Sequence, residues 1–167
     1  TGEFIIPCQF DNFELRYPED IYFVSKDGKT GAMNLDAKLI VPIEYENEDI
    51  VDDFEVNSVN YILLRKNGKV KMIDTKGKEI LPAIYDKIDY SDHSNDTYVC
   101  VYQNGKKGWY DLYLMRMVVP TNYSEIQVIG SESGDFVEVE KEGKVGVWNL
   151  KLGKEVVPTQ FENMEES

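Results

Sequence analysis

The stretch Lys141 to Phe161, KEGKVGVWNLKLGKEVVPTQF, is written four times in this chain, and the chain begins with a fragment of a fifth copy. A Gly-Lys pair opens each copy, at Gly28, Gly68, Gly105 and Gly143, and a proline closes each, at Pro42, Pro82, Pro120 and Pro158. An aromatic follows three places later: Tyr45, Tyr85, Tyr123 and Phe161. Gly-to-Gly spacings are 40, 37 and 38 residues, and Pro-to-Pro spacings 40, 38 and 38. A fixed period in this range marks a repeat architecture, because one small unit cannot bury its apolar face alone and must stack on its neighbours.

Within a copy the pattern is that of β-strands. One column reads Tyr22, Ile62, Val99, Val137 and another, two residues on, Val24, Leu64, Val101, Val139. This is the period-2 alternation of a strand with a core face. The column between them, Phe23, Leu63, Cys100, Glu138, is apolar in three copies, so the second face is partly covered as well. Asp27-Gly28, Asn67-Gly68, Asn104-Gly105 and Glu142-Gly143 then suit the positive φ angles of a two-residue hairpin turn. A returning strand ends at Asn34, Asp74, Asp111 or Asn149, side chains that bond their own backbone in turns. A short apolar strand follows, and the proline straight after it is expected to stop it, since proline cannot donate to a sheet ladder. The aromatic-plus-three positions (Phe10/Phe13, Tyr85/Ile88, Tyr123/Ile126, Phe161/Met164, with Glu48 the exception) fit a short fourth strand or a helical turn equally well. The connections Glu44 to Asp53 and Asp89 to Thr97 read as polar loops.

The expected fold is therefore all-β: tandem antiparallel meander or hairpin repeats of about 38 residues, stacked in an open or superhelical array. A closed, propeller-like arrangement is the alternative, since a period near forty also fits a four-stranded blade. Residues 1–167 form one repeat domain, divided as a partial copy over 1–20 and full copies over 21–58, 59–97, 98–135 and 136–167. In the partial copy Gly2 matches Gly153 and Ile5-Ile6-Pro7 matches Val156-Val157-Pro158. It either follows further sequence upstream or supplies a strand to another unit.

The recurring GKxG, the Asp/Asn turn, the apolar-apolar-Pro and the aromatic-acid pair resemble the WG-repeat family, also called KWG repeats. The residues that carry the resemblance are Gly105-Lys106-Lys107-Gly108 with Asp111, Pro120 and Tyr123, and Gly143-Lys144-Val145-Gly146 with Asn149, Pro158 and Phe161. Gly28-Lys29-Thr30-Gly31 with Asn34, Pro42 and Tyr45 is a third set. The tryptophan that names the family is replaced by Thr30, Val70, Lys107 and Val145, and the second glycine is Lys71 in one copy. The resemblance implies β-hairpin repeats of bacterial proteins, mostly without an assigned activity, and carries no catalytic residues.

Composition narrows the partners. The net charge is −13, from 31 acidic and 18 basic residues. Such a surface repels phosphate backbones and anionic headgroups, so neither nucleic acid nor membrane insertion is expected. No apolar stretch is long enough to span a bilayer. Cys8 and Cys100 are too few for a disulfide framework and are read as free thiols or small buried side chains, which leaves the compartment open, an extracytoplasmic or cell-envelope location included. The single histidine, His93, sits in the polar loop Ser91 to Asp96 and is read as solvated. Asp89, Asp92, Asn95 and Asp96, and the acidic run Glu44, Glu46, Glu48, Asp49, Asp52 and Asp53, lack the order of a calcium loop. No catalytic residue, metal site or cofactor is assigned.

Aromatic side chains give the functional lead. Trp109, Tyr110, Tyr113, Leu114 and Trp148, with Tyr102 nearby, form the candidate binding surface. Core packing is the competing role for the strand aromatics. Tyr113 stands apart because it lies in DLYLMRM, an apolar turn that replaces a polar one. A non-enzymatic binding or scaffold module for a protein partner is the first expectation, and a polysaccharide held on aromatic faces the second.

Overall fold

The computed structural model describes residues 9–16, 21–90, 97–129 and 135–162. Cys8, the rest of the opening fragment before it, the His93 loop from 91 to 96, and Met164 lie outside the described residues. Within the described residues sixteen strands form four separate four-stranded sheets, each a simple meander of sequence neighbours. Sheet 1 holds β1 (Asn12–Arg16), β2 (Ile21–Lys26), β3 (Lys29–Asn34) and β4 (Leu39–Tyr45). Sheet 2 holds β5 (Ile50–Val56), β6 (Val59–Lys66), β7 (Lys69–Asp74) and β8 (Glu79–Tyr85). Sheet 3 holds β9 (Lys87–Asp89), β10 (Tyr98–Gln103), β11 (Lys106–Asp111) and β12 (Arg116–Tyr123). Sheet 4 holds β13 (Glu125–Ile129), β14 (Phe136–Lys141), β15 (Lys144–Asn149) and β16 (Lys154–Glu162).

Local chemistry explains the turns. In Asp27-Gly28 both residues take positive φ, 52° and 76°, and the other three tight turns do likewise. Two positive φ angles in succession match the twist of the flanking strands, the reason Asp-Gly and Asn-Gly recur there. At the second turn the Asn or Asp side chain holds the backbone. Asn34 Oδ1 accepts from the amides of Asp36 and Lys38, and Asp74 Oδ1 from those of Lys76 and Lys78. The acid after the aromatic also has a backbone role. Asp11 accepts from the Asp27 amide at 2.6 Å and Asp86 from the Asn104 amide at 2.7 Å, each clamping the hairpin turn that follows.

The proline does not stop its strand. Pro42, Pro82, Pro120 and Pro158 lie inside β4, β8, β12 and β16. These are edge strands, where a missing N–H is tolerated. The ladder slips at the second glycine of the motif, between Thr30 and Ala32, Lys107 and Trp109, and Val145 and Val147. A Cβ on Gly31 would meet the Val41 carbonyl oxygen at 2.6 Å and the Ile43 nitrogen at 2.9 Å. On Gly108 it would meet Val119 O and Thr121 N, both at 2.8 Å, and on Gly146 Val157 O at 2.7 Å. In each case the residue between those two backbone atoms is the proline. Glycine and proline are thus two halves of one bulge, the proline-bearing strand pressing onto a position without a side chain.

Sequence repeats and sheets are offset by one strand. The residues after each aromatic form the first strand of the next sheet: β1 pairs β2, β9 pairs β10, and β13 pairs β14. The exception at Glu48 lies in a single 3-10 turn, Asn47–Asp49, which precedes β5. The supposed loop from Glu44 to Asp53 is consequently mostly ordered structure, with Glu44 in β4 and Asp52 and Asp53 in β5.

The chain divides into two compact units, Thr1–Ile84 and Tyr85–Ser167. In the first, Phe23, Ala32, Val41 and Tyr45 of sheet 1 form one core with Ile50, Ile62, Leu64 and Ile73 of sheet 2. In the second, Cys100, Trp109, Val119 and Tyr123 of sheet 3 form another with Ile126, Val137, Val139 and Leu150 of sheet 4. The same relation is repeated: one face of a sheet packs on the opposite face of the sheet that follows, so both strand faces are apolar.

Candidate functional site

Among the described residues, each unit has a place with the features of a binding site. In the first unit a cleft of about 270 Å³ is lined by Asn12, Glu14, Phe23, Ser25, Thr30 and Asn47. Its hydroxyls engage each other, Ser25 Oγ lying 3.0 Å from Thr30 Oγ1. An activated nucleophile would need a base within that distance. The Glu14 carboxylate adds a charged acceptor to the hydroxyls and side-chain amides of this lining. Glu46, next to Asn47 of the lining, accepts from Lys29, and elsewhere in the unit Glu44 accepts from Lys66 at 2.7 Å. That bond holds the Glu44 carboxyl below the usual range and raises the Lys66 ammonium.

The second unit presents the more distinctive surface. Asp111 ends β11 and is buried, and its Oδ1 accepts from the amides of Tyr113 at 2.8 Å and Leu114 at 2.9 Å. The carboxylate fixes the turn backbone and so aims its tip. Leu112 turns inward and is buried, while Tyr113 is 77% exposed, Leu114 47% and Met115 45%. Met115 has φ 53°, the left-handed region. The aligned position is Ala37 in sheet 1, Gly77 in sheet 2 and Gly153 in sheet 4, all at positive φ. A long side chain at an angle where two of the other copies use glycine and one uses alanine is strained by roughly 1–2 kcal/mol. The corresponding turn of sheet 4, Leu150-Lys151-Leu152-Gly153, adds Leu152, which is 60% exposed. The two turns meet, a Cβ on Gly153 falling 3.6 Å from the Arg116 guanidinium. Tyr113, Leu114 and Met115 thus form one exposed apolar tip, and the neighbouring turn carries exposed Leu152 and the Lys151–Asp135 ion pair.

The other expected surface aromatics lie elsewhere. Trp109 is 2% exposed and Tyr110 is buried, so neither offers a ring to a ligand. Trp109 stacks on Tyr98 with centroids 5.7 Å apart, and its cross-strand partner is the small, buried Cys100. Trp148 packs against the sheet 3–sheet 4 core and meets Tyr123 edge-on at 6.0 Å. Tyr102 lies between lysines, with Lys87 Nζ 5.3 Å and Lys107 Nζ 5.8 Å from its ring centre. Of the five candidates only Tyr113 and Leu114 form an exposed surface. Met115 belongs to the apolar turn tip read from the sequence, Leu112 to Met115, whereas Leu152 was absent from that expectation. Aligning the turns, with Leu114 opposite Leu152, is the signal that would have found it.

A family model described as WG containing repeat matches residues 1–29 and 72–106. No curated protein matches the chain. Among solved structures it is similar to Kluyveromyces lactis Hsv2, at 14% identity over 90% of this chain and 50% of that one, with a TM-score of 0.39. The dihydro-heme d1 dehydrogenase NirN in complex with DHE gives 12% identity over 90% and 38%, with a TM-score of 0.40. The N-terminal domain of Nup159 gives 10% over 93% and 45%, with a TM-score of 0.38. The chain spans half or less of the length of each of these three.

Proposed function

We propose, from the premise that this chain is built of WG repeats, that it is a non-catalytic module whose second unit captures a protein through the turn edge around Tyr113. The observation that carries this reading is the exposed apolar tip itself, Tyr113 at 77%, Leu114 at 47% and Met115 at 45%, with Met115 held at φ 53° where sheets 2 and 4 have glycine and sheet 1 has Ala37. Strain retained on an exposed apolar tip is understandable if a partner covers that tip. Tyr113 supplies a large, stiff contact area, and Leu114, Met115 and Leu152 surround it with adaptable apolar groups. Arg116 and Lys151 at the margin suit a partner with acidic groups beside an apolar anchor. The polysaccharide reading draws less support, because Trp109 and Tyr110 are inside the core.

The test exchanges the turn for its neighbour's. Tyr113→Lys with Met115→Gly gives the third turn the residues of the fourth. Proteins retained from a lysate of the source organism on immobilised wild-type chain should be lost on this variant, whose melting should be unimpaired. Equal retention by both chains would remove this edge as the capture surface.

A further inference from the structure

The cleft of the first unit is opened by a local change in the repeat. Its polar wall is one cross-strand row of sheet 1, Asn12–Ser25–Thr30–Tyr45, and the adjoining row is Glu14–Phe23–Ala32–Val41. Side chains two residues apart on a strand share a face, so the two rows look the same way. At the register of Ser25 and Thr30, sheet 2 has Arg65 and Val70, sheet 3 Tyr102 and Lys107, and sheet 4 Glu140 and Val145. In sheet 3 that row is filled, the Tyr102 ring lying between the ammonium groups of Lys87 and Lys107. Two small hydroxyl side chains at the same register of sheet 1 leave a cleft of about 270 Å³, closed on one side by Asn47 of the 3-10 turn after β4.

The lining selects by what it can exchange. Thr30 is 4% exposed, and its hydroxyl and that of Ser25 share one proton between them. The second hydroxyl proton and the remaining lone pairs have no other partner among the described residues, and the same holds for the side-chain amides of Asn12 and Asn47. Donors and acceptors therefore stand side by side. A hydroxyl group is itself both and can complete both. An ammonium brings donors alone and would leave the facing hydroxyl and amide protons without acceptors. A phosphate or carboxylate would meet the Glu14 carboxylate, with no lysine or arginine in the described lining and a net charge of −13 on the chain. The Phe23 ring at the inner end offers an apolar patch to the C–H face of a sugar ring. We propose that this cleft binds a neutral polyhydroxyl ligand the size of one sugar ring.

The site is independent of the turn edge around Tyr113 and of any polysaccharide laid along aromatic faces. Its volume lies just under the range of about 300–1,000 Å³ usual for small-molecule clefts, which fits one ring and not a chain. Neutral hydrogen bonds in a site open to water contribute little each, so the dissociation constant belongs to the class of about 1–10 mM.

The test is amide NMR of the full chain, titrated with glucose, galactose, mannose, N-acetylglucosamine and myo-inositol in turn, each to about 50 mM so that weak dissociation constants are covered. At least one of these is expected to give saturable shifts centred on Asn12, Ser25, Thr30 and Asn47. Thr30→Val installs the residue that sheets 2 and 4 carry at this register. It should weaken binding about tenfold, through the loss of one hydroxyl, with melting preserved. Ser25→Tyr, the residue of sheet 3, should fill the cleft and abolish binding. Silence from every one of these polyols overturns the inference. So does binding that both variants leave unchanged, or a response of the same amides to ethylammonium or phosphate alone.

Discussion

Cys100 lies directly opposite Trp109 across β10 and β11, and the pair is the third of a series. At the same register Phe23 faces Ala32 and Leu63 faces Met72. Large with small, medium with medium and small with large fill similar space, as close packing requires. Trp109→Ala should cost about 3–5 kcal/mol through the cavity it leaves. Adding Cys100→Phe rebuilds the Phe–Ala pair of sheet 1 and should restore part of that loss. A double variant no more stable than Trp109→Ala in urea titration would show that the pairs do not compensate.

The bulge predicts which glycines resist change. Gly108→Ala and Gly146→Ala place a methyl against backbone of the proline-bearing strand at 2.7–2.8 Å, and backbone cannot rotate away. Each should destabilise by about 1–3 kcal/mol. Chemical denaturation midpoints test this, and values unchanged from wild type would mean that β12 and β16 yield freely.

Met115→Gly should raise stability by about 1 kcal/mol, because it removes a left-handed non-glycine residue. The same change should weaken protein capture, a separation of stability from binding that a purely structural turn would not give. Paired measurements of melting and retention decide it.

Burial pushes the Tyr123 phenol up to about 12, with the Glu155 carboxylate adding to the shift and a bond with Thr159 opposing it. An unfolded tyrosine titrates near 10. The folded chain therefore keeps a proton that the unfolded chain releases. Stability is fully present below about pH 10 and declines as pH rises towards about 12. Tyr85, Tyr98 and Tyr110 shift the same way, each first through burial. Phenolate absorbance should lag for these residues and rise as circular dichroism is lost, and Tyr123→Phe should flatten the decline. Complete titration near pH 10 with structure intact would contradict their burial.

The hairpins were legible because their signals are local: Asn-Gly dictates its own dihedral angles, and Asn34 or Asp74 reaches amides only two and four residues away. The Gly31–Pro42 bulge was not, since proline read alone breaks a strand and only its partner shows why it need not. Trp109 stood between a surface and a core role for a similar reason. Nothing in its own strand reveals that Cys100 leaves it room. Tyr113, Leu114 and Met115 were found because an apolar turn tip is anomalous by itself, whereas Leu152 needed the approach of a neighbouring turn.

The one-strand offset between repeat and sheet has a consequence for how such a chain can lengthen. Each copy ends by starting its successor's sheet, as Glu125 to Ile129 does for sheet 4. A tandem genetic duplication of about one period, wherever its breakpoints fall, therefore adds one complete four-stranded sheet and leaves no orphan strand. Array length can drift by whole sheets without any intermediate that fails to fold.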